Sequence, residues 1–179
     1  MIVIPVALGA AVAGLLGYAA SRPDTFRMER RTTVAAPPEA ILAHINDFRR
    51  WADWSPYDKL DPEMKKTYGG APSGPGATYA WEGNGKAGAG QMTLLESTPT
   101  RTTIDLAFTR PFKARNRTEF TLEPRGASTD VTWSMQGPQP FINKLIGVLI
   151  NMDKLVGKDF DAGLASLKAL AERQAPAAR

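Results

Sequence analysis

Four charged side chains fall on segments that alternate in polarity: Glu82, Asp105, Arg117 and Glu119. Turned inward beside the Arg117 guanidinium, one of these carboxyls would be a buried acid with a displaced pKa, suited to polarising a carbonyl. The register points the other way. Asp105 lies opposite the face of Ile104, Leu106 and Phe108, Glu119 opposite that of Thr118, Phe120 and Leu122, and Glu82 follows Trp81, so all three are expected to face solvent. His44 is the single histidine and there is no cysteine. One imidazole without a second imidazole or a thiol makes no transition-metal cluster, and disulfides and thiolate catalysis are excluded. A general base must reach a substrate proton, and His44, between Ala43 and Ile45, reads instead as an exposed or locally hydrogen-bonded ring. No catalytic residue, metal site or cofactor is assigned.

Binding chemistry is better represented. Trp54, Tyr79, Trp81, Met92, Leu94, Leu106, Phe108, Phe120, Trp133 and Met135 take the apolar phase of their segments, and Leu145, Leu149, Met152 and Val156 supply a facing stripe near the C-terminus. Aromatic and methionine lining with few polar groups suits a site for an apolar ligand. The same stripes at strand and helix period also describe a plainly filled core.

The elements that must hold these residues are legible. Strands are expected over Phe26 to Ala35, Met64 to Tyr68, Thr78 to Glu82, Ala87 to Glu96, Thr102 to Thr109, Arg115 to Glu123 and Thr129 to Gln136, each with one apolar and one polar face. Pro37, Pro38 and Glu39 open a short helix with Ile41, Leu42, Ile45 and Phe48 on one side, and a second, irregular helical stretch carries Trp51, Trp54 and Tyr57. Asn84-Gly85 predicts a type I′ hairpin turn, in which both central residues take positive φ. From Phe141 to about Arg173, apolar residues recur at steps of three and four, predicting one helix of roughly 50 Å. Gly147, Gly157 and Gly163 interrupt it, each costing about 1 kcal/mol against alanine, so a bend or a close approach is expected at each.

Met1 to Ala20 holds no charged side chain, and about 20 helical residues match a bilayer core of about 30 Å. It reads as a transmembrane anchor over residues 1–21, in preference to a cleaved signal, with the domain at 22–174 and a flexible tail at 175–179. Arg22, Arg27, Arg30 and Arg31 then put the domain on the cytoplasmic side, and Gly9, Ala13 and Gly17 offer a ridge for a homodimer. Two further surfaces suit a lipid or a partner: the Arg110–Arg117 stretch with Phe112 at its tip, and the nearly all-apolar run from Phe141 to Ile150. The net charge of +4, without basic residues interleaved with aromatics along the sheet, gives no nucleic-acid footprint.

Ala36-Pro37-Pro38-Glu39-Ala40, then Asn46-Asp47-Phe48-Arg49-Arg50-Trp51 and Trp54-Ser55-Pro56, then Thr118 to Pro124 and Val131 to Met135, resemble the polyketide cyclase/dehydratase-type branch of the SRPBCC, or START-like, superfamily. The resemblance runs from about Phe26 to Glu172. It implies an α+β helix-grip fold: a curved antiparallel sheet of about seven strands wrapped on a long C-terminal helix, with two short helices after the first strand. It also implies a pocket between sheet and helix, and a choice between carrying a small hydrophobic ligand and a cyclase or dehydratase reaction on one. A filled sheet–helix domain serving as a partner-binding module is the third possibility, since a shared fold does not transfer a mechanism.

Overall fold

The computed structural model describes residues 13–149 and 152–174. Seven strands, β1 (Thr25–Val34), β2 (Lys65–Gly70), β3 (Ala77–Glu82), β4 (Ala89–Thr98), β5 (Arg101–Arg110), β6 (Ala114–Arg125) and β7 (Ser128–Pro138), form one antiparallel sheet in the order β1-β7-β6-β5-β4-β3-β2. Six of the seven strands are joined to their sheet neighbours by short hairpins, and β1 returns to the far edge beside β7. Two register shifts, at Ala89/Gly90 and between Leu94 and Glu96, break β4. Such bulges bend a strand and increase its twist, which lets the sheet curl.

Between β1 and β2 the chain forms α1 (Pro38–Ile45), a 3₁₀ turn at Phe48–Arg50, α2 (Trp51–Trp54) and a second 3₁₀ turn at Pro56–Lys59. Proline opens α1 and Glu39 lies in its first turn, where a missing N–H is harmless and a negative charge meets the positive helix end. Asp47 accepts from the Arg49 N–H and caps the first 3₁₀ turn. After β7 come α3 (Phe141–Leu149) and α4 (Met152–Gln174). The long C-terminal helix expected from periodicity is therefore described as two helices; residues 150 and 151 between them lie outside the described part.

Alternation puts Phe120, Leu122, Val131, Trp133, Ile104 and Leu94 on the concave face, all at 2% exposure or less, against Phe160, Leu164 and Leu167 of α4. Burying each such side chain contributes roughly 1.5–3 kcal/mol. The Trp133 and Phe160 rings stack 4.1 Å apart with planes at 8°, Phe120 also stacks on Trp133 at 5.1 Å, and Trp51 and Trp54 stand edge-on to Trp133 and Phe120. The glycines of the C-terminal helices are where backbone and side chains approach. A Cβ on Gly163 would lie 2.7 Å from the Trp133 ring, one on Gly147 3.2 Å from Arg22 Nη1, and one on Gly157 would collide with the Arg30 guanidinium.

Two expectations are corrected. Residues 13–21 are helical, a length of about 14 Å at helical rise, and no helix among the described residues is long and apolar enough to cross a membrane. The transmembrane helix, the single-pass placement and the cytoplasmic orientation that depended on it are therefore not supported; residues 1–12, with Gly9 of the supposed dimer ridge, lie outside the described part. Most side chains of residues 13–21 are exposed. Ala19 is fully buried, and just beyond the helix the Asp24 carboxylate accepts from Lys144 Nζ at 2.6 Å. The β3–β4 connection is not a two-residue type I′ turn either. No described residue other than glycine has positive φ, and the positive φ falls on Gly88. The Asn84 side chain accepts from the Lys86 and Ala87 N–H groups, so an Asx-type turn lengthens the loop.

Candidate functional site

The concave face divides into a closed end and an open end. At the closed end, near Val34, Ile41, Leu94 and Leu122, all four side chains are at 1% exposure or less. Toward the other end of the strands the packing loosens: Leu106 and Phe108 on β5, Met135 on β7, Val156 on α4 and Tyr57 in the second 3₁₀ turn are only partly buried, resting on the core. Apolar groups there are only partly withdrawn from water.

The fourteen residues expected to line a cavity split between these zones. Trp54, Tyr79, Trp81, Met92, Leu94, Phe120 and Trp133 are buried at 9% exposure or less in one aromatic and aliphatic core. Leu106, Phe108, Met135 and Val156 form the looser rim, and Leu145 on α3 is half-buried. The side chains of Leu149 and Met152 lie outside the described part. Trp81 joins core to rim, its ring edge-on to Phe108 at 5.6 Å and its indole N–H donating to the Ala87 carbonyl.

Polar groups on this face are few. Asn116, 9% exposed, offers its amide to Met135 Sδ at 3.8 Å. The Trp133 indole N–H is buried without an acceptor. Arg30 reaches inward from β1 to the first turn of α4, donating twice to the Asp153 carboxylate at 3.0 and 3.1 Å, with Asp161 at 3.5 Å. At the β2–β3 edge, Asp58 accepts from the Tyr79 hydroxyl at 3.0 Å and from Lys66 Nζ at 2.5 Å, its side chain 6% exposed. Burial first, and the Asp58 charge second, push the Tyr79 hydroxyl far above the ordinary tyrosine range. Burial, with Asp159 behind it, does the same for Tyr57. Both phenols are therefore neutral hydrogen-bonding groups at any ordinary pH. Sequence reasoning missed the Asp58–Lys66–Tyr79 cluster. The available signal was the pairing of β2, which places Lys66 and Tyr68 opposite Trp81 and Tyr79 on the inner face.

The strand charges sit outside, as their alternation requires. Glu82 and Arg117 are exposed, Glu119 is half-exposed, and Asp105 is engaged by Arg115 at 2.8 Å. None stands beside the rim residues as an inward acid. His44 departs from expectation: it is 2% exposed, and neither ring nitrogen has a hydrogen-bond partner. The ring is packed under α1 rather than displayed, while its backbone carbonyl accepts from the Trp54 indole at 3.3 Å. No group of three metal-ligating side chains occurs among the described residues.

These features agree with what the chain is similar to. A protein from Chromobacterium violaceum, CV1439, superposes with a TM-score of 0.57 at 19% identity, covering 84% of this chain and 99% of its own. DynU16, from the dynemicin biosynthetic locus, gives 0.58 at 17% identity over 87% of this chain and 49% of its own. Aha1 from Colwellia psychrerythraea gives 0.55 at 16% identity over 82% and 96%. At such identities these likenesses establish the fold and no activity. No curated protein matches the chain. The family model described as polyketide cyclase / dehydrase and lipid transport matches residues 25–172, from the first residue of β1 almost to the end of α4, and the chain belongs to that family.

Proposed function

We propose that the protein binds and carries a small hydrophobic molecule, lipid-, isoprenoid- or polyketide-like, against the open end of the concave face. The observation that carries this reading is the rim of Leu106, Phe108, Met135 and Val156, half-buried and continuous with the aromatic core. An apolar body placed there would remove those side chains from water at about 25 cal/mol per Å². Asn116 and the Trp133 N–H are the polar groups available to orient it. The family's description, which joins cyclases with lipid transport, is compatible with this use of the fold. The test is native mass spectrometry of the full chain with solvent extraction of the purified protein. Non-covalent apolar adducts, or stoichiometric uptake of added dodecanol, are expected. A bare protein that takes up neither dodecanol nor an aromatic probe would overturn the reading.

A cyclase-type reaction is the alternative, and Asp58 with Tyr79 is the observation that favours it: a carboxylate and a phenol paired on the inner face. Substituting Asp58→Asn separates the two. An enzyme would lose turnover while still binding its substrate, whereas in a carrier the substitution acts through stability alone.

A further inference from the structure

The β5–β6 hairpin stands clear of the rest of the molecule at its tip. Thr109 to Arg115 are all exposed, and Phe112, at the turn, is 82% exposed, the highest value for a large apolar side chain among the described residues. From Leu106 to Thr118 the chain carries Arg110, Lys113, Arg115 and Arg117 and no acid. Arg115 is held at 2.8 Å by Asp105, further down β5. Arg110 and Lys113, on either side of Phe112, make no ion pair or side-chain hydrogen bond among the described residues. The β3–β4 loop adds a further cation. Its Gly88 lies against the base of the tip, where a Cβ would come within 2.5 Å of the Arg110 carbonyl oxygen and 3.5 Å of Pro111 Cδ, and the exposed Lys86 is two residues before it.

A protein partner is a poor match for this shape. A stable interface buries roughly 800 Å² on each side over a complementary surface, which a narrow tip with one ring does not supply. A bilayer requires neither that area nor complementarity of shape: a ring enters the boundary between headgroups and acyl chains while the cations beside it stay among the phosphates. The other exposed apolar surface, Phe141, Ile142 and Ile146 of α3, lacks the charge. Its one cation, Lys144, is 5% exposed and bound to Asp24.

We infer that the β5–β6 tip is a docking surface for an anionic lipid bilayer, with Phe112 at the headgroup boundary, Arg110 and Lys113 on the lipid phosphates and Lys86 beside them. Attachment of this kind needs no spanning helix. It is reversible, since one ring and a few surface cations fall short of a stable anchor. It stands apart from the ligand-binding reading: it concerns where the protein rests, not what it holds.

The experiment is flotation of the full chain with vesicles of phosphatidylcholine alone and of phosphatidylcholine with about 30% phosphatidylglycerol. The chain is expected to partition about tenfold or more strongly into the anionic vesicles, and to be released as salt rises from about 0.05 to about 0.5 M. Phe112→Ser and the double variant Arg110→Gln/Lys113→Gln are each expected to weaken the partition about tenfold, with unchanged circular dichroism. No partition into anionic vesicles, or equal partition into both kinds, overturns the docking surface. A loss in the double variant with Phe112→Ser unaffected also overturns it, marking a patch for polyanions in general. So does a loss in Ile142→Ser with both tip variants unaffected, which moves the contact to α3. A dimer in size-exclusion chromatography that Phe112→Ser dissolves would assign the tip to a second copy of the chain instead.

Discussion

The Arg30 guanidinium occupies the place where Gly157 would carry a side chain. β1 and α4 are thereby clamped by an inward arginine whose partners, Asp153 and Asp161, sit one turn before and one turn after that glycine. The glycine that helix propensity disfavours is explained by this close approach, and the contact invites a mutant cycle. Gly157→Ala is expected to destabilise the native protein by about 1–3 kcal/mol, as overpacking does. With Arg30 first changed to Ala, the same substitution is expected to stabilise by about 1 kcal/mol, the ordinary helix preference. Urea unfolding of the four proteins reads the reversal of sign; equal effects in both backgrounds would show that the two residues are independent.

Trp133 and Phe160 join sheet to helix by face-on stacking, and the ring of Phe160 is 2% exposed. Phe160→Ala is expected to cost about 3–5 kcal/mol, and Phe160→Leu distinctly less, measured by thermal or denaturant unfolding. A loss under about 1 kcal/mol for the alanine variant would mean that the core can collapse round the gap.

His44 supplies a pH dependence. Burial first, and the Arg50 charge second, lower its pKa from the ordinary 6.5, against smaller opposing contributions from Gln174, whose amide approaches without a hydrogen bond forming, and Asp53. A ring that takes its proton less readily folded than unfolded makes the unfolded chain the better proton acceptor. Its contribution to stability is therefore complete above about pH 6.5 and declines as the pH falls below that value, levelling off once the folded ring is also protonated. Urea midpoints measured from pH 7.5 downward should show this decline in the native chain and a smaller one in His44→Leu. Identical profiles would place the acid sensitivity elsewhere.

Much of the fold was legible because the strands alternate cleanly. The β5 sequence Thr102-Thr103-Ile104-Asp105-Leu106 and the β6 run Thr118 to Leu122 give the inner face directly, and the structure pairs Ile104 with Thr118 as that phase requires. Gly147, Gly157 and Gly163 could be flagged from propensity, although the side chains that a Cβ there would meet, Arg22, Arg30 and Trp133, are distant in sequence and become visible only in three dimensions. Asn84-Gly85 misled because the Asn84 side chain offers the backbone an alternative turn. The charge-free start of the chain misled for another reason: absence of charge permits a membrane span without requiring one, and no helix among the described residues is long and apolar enough to make it. His44 was misread because its neighbours in sequence say little about the α4 helix that covers α1.

Asp58 is fastened to both Lys66 and Tyr79. Tyr79→Phe removes one neutral donor and is expected to cost about 1 kcal/mol, while Asp58→Ala strands a partly buried ammonium and is expected to cost about 3 kcal/mol or more. Their additivity tests the cluster: the double variant should cost less than the sum, and strict additivity in denaturant unfolding would show that the two groups are not coupled.

The central claim, that an apolar ligand sits against the loose rim of the concave face, is tested most directly by nuclear Overhauser contacts between bound dodecanol and the methyl groups of the isotope-labelled full chain. The account predicts contacts to Met135, Leu106 and Val156, which lie on three separate elements and are each only partly buried against the core. Contacts confined to exposed Ile142 and Ile146 of α3, with the rim methyls unmoved, would contradict it.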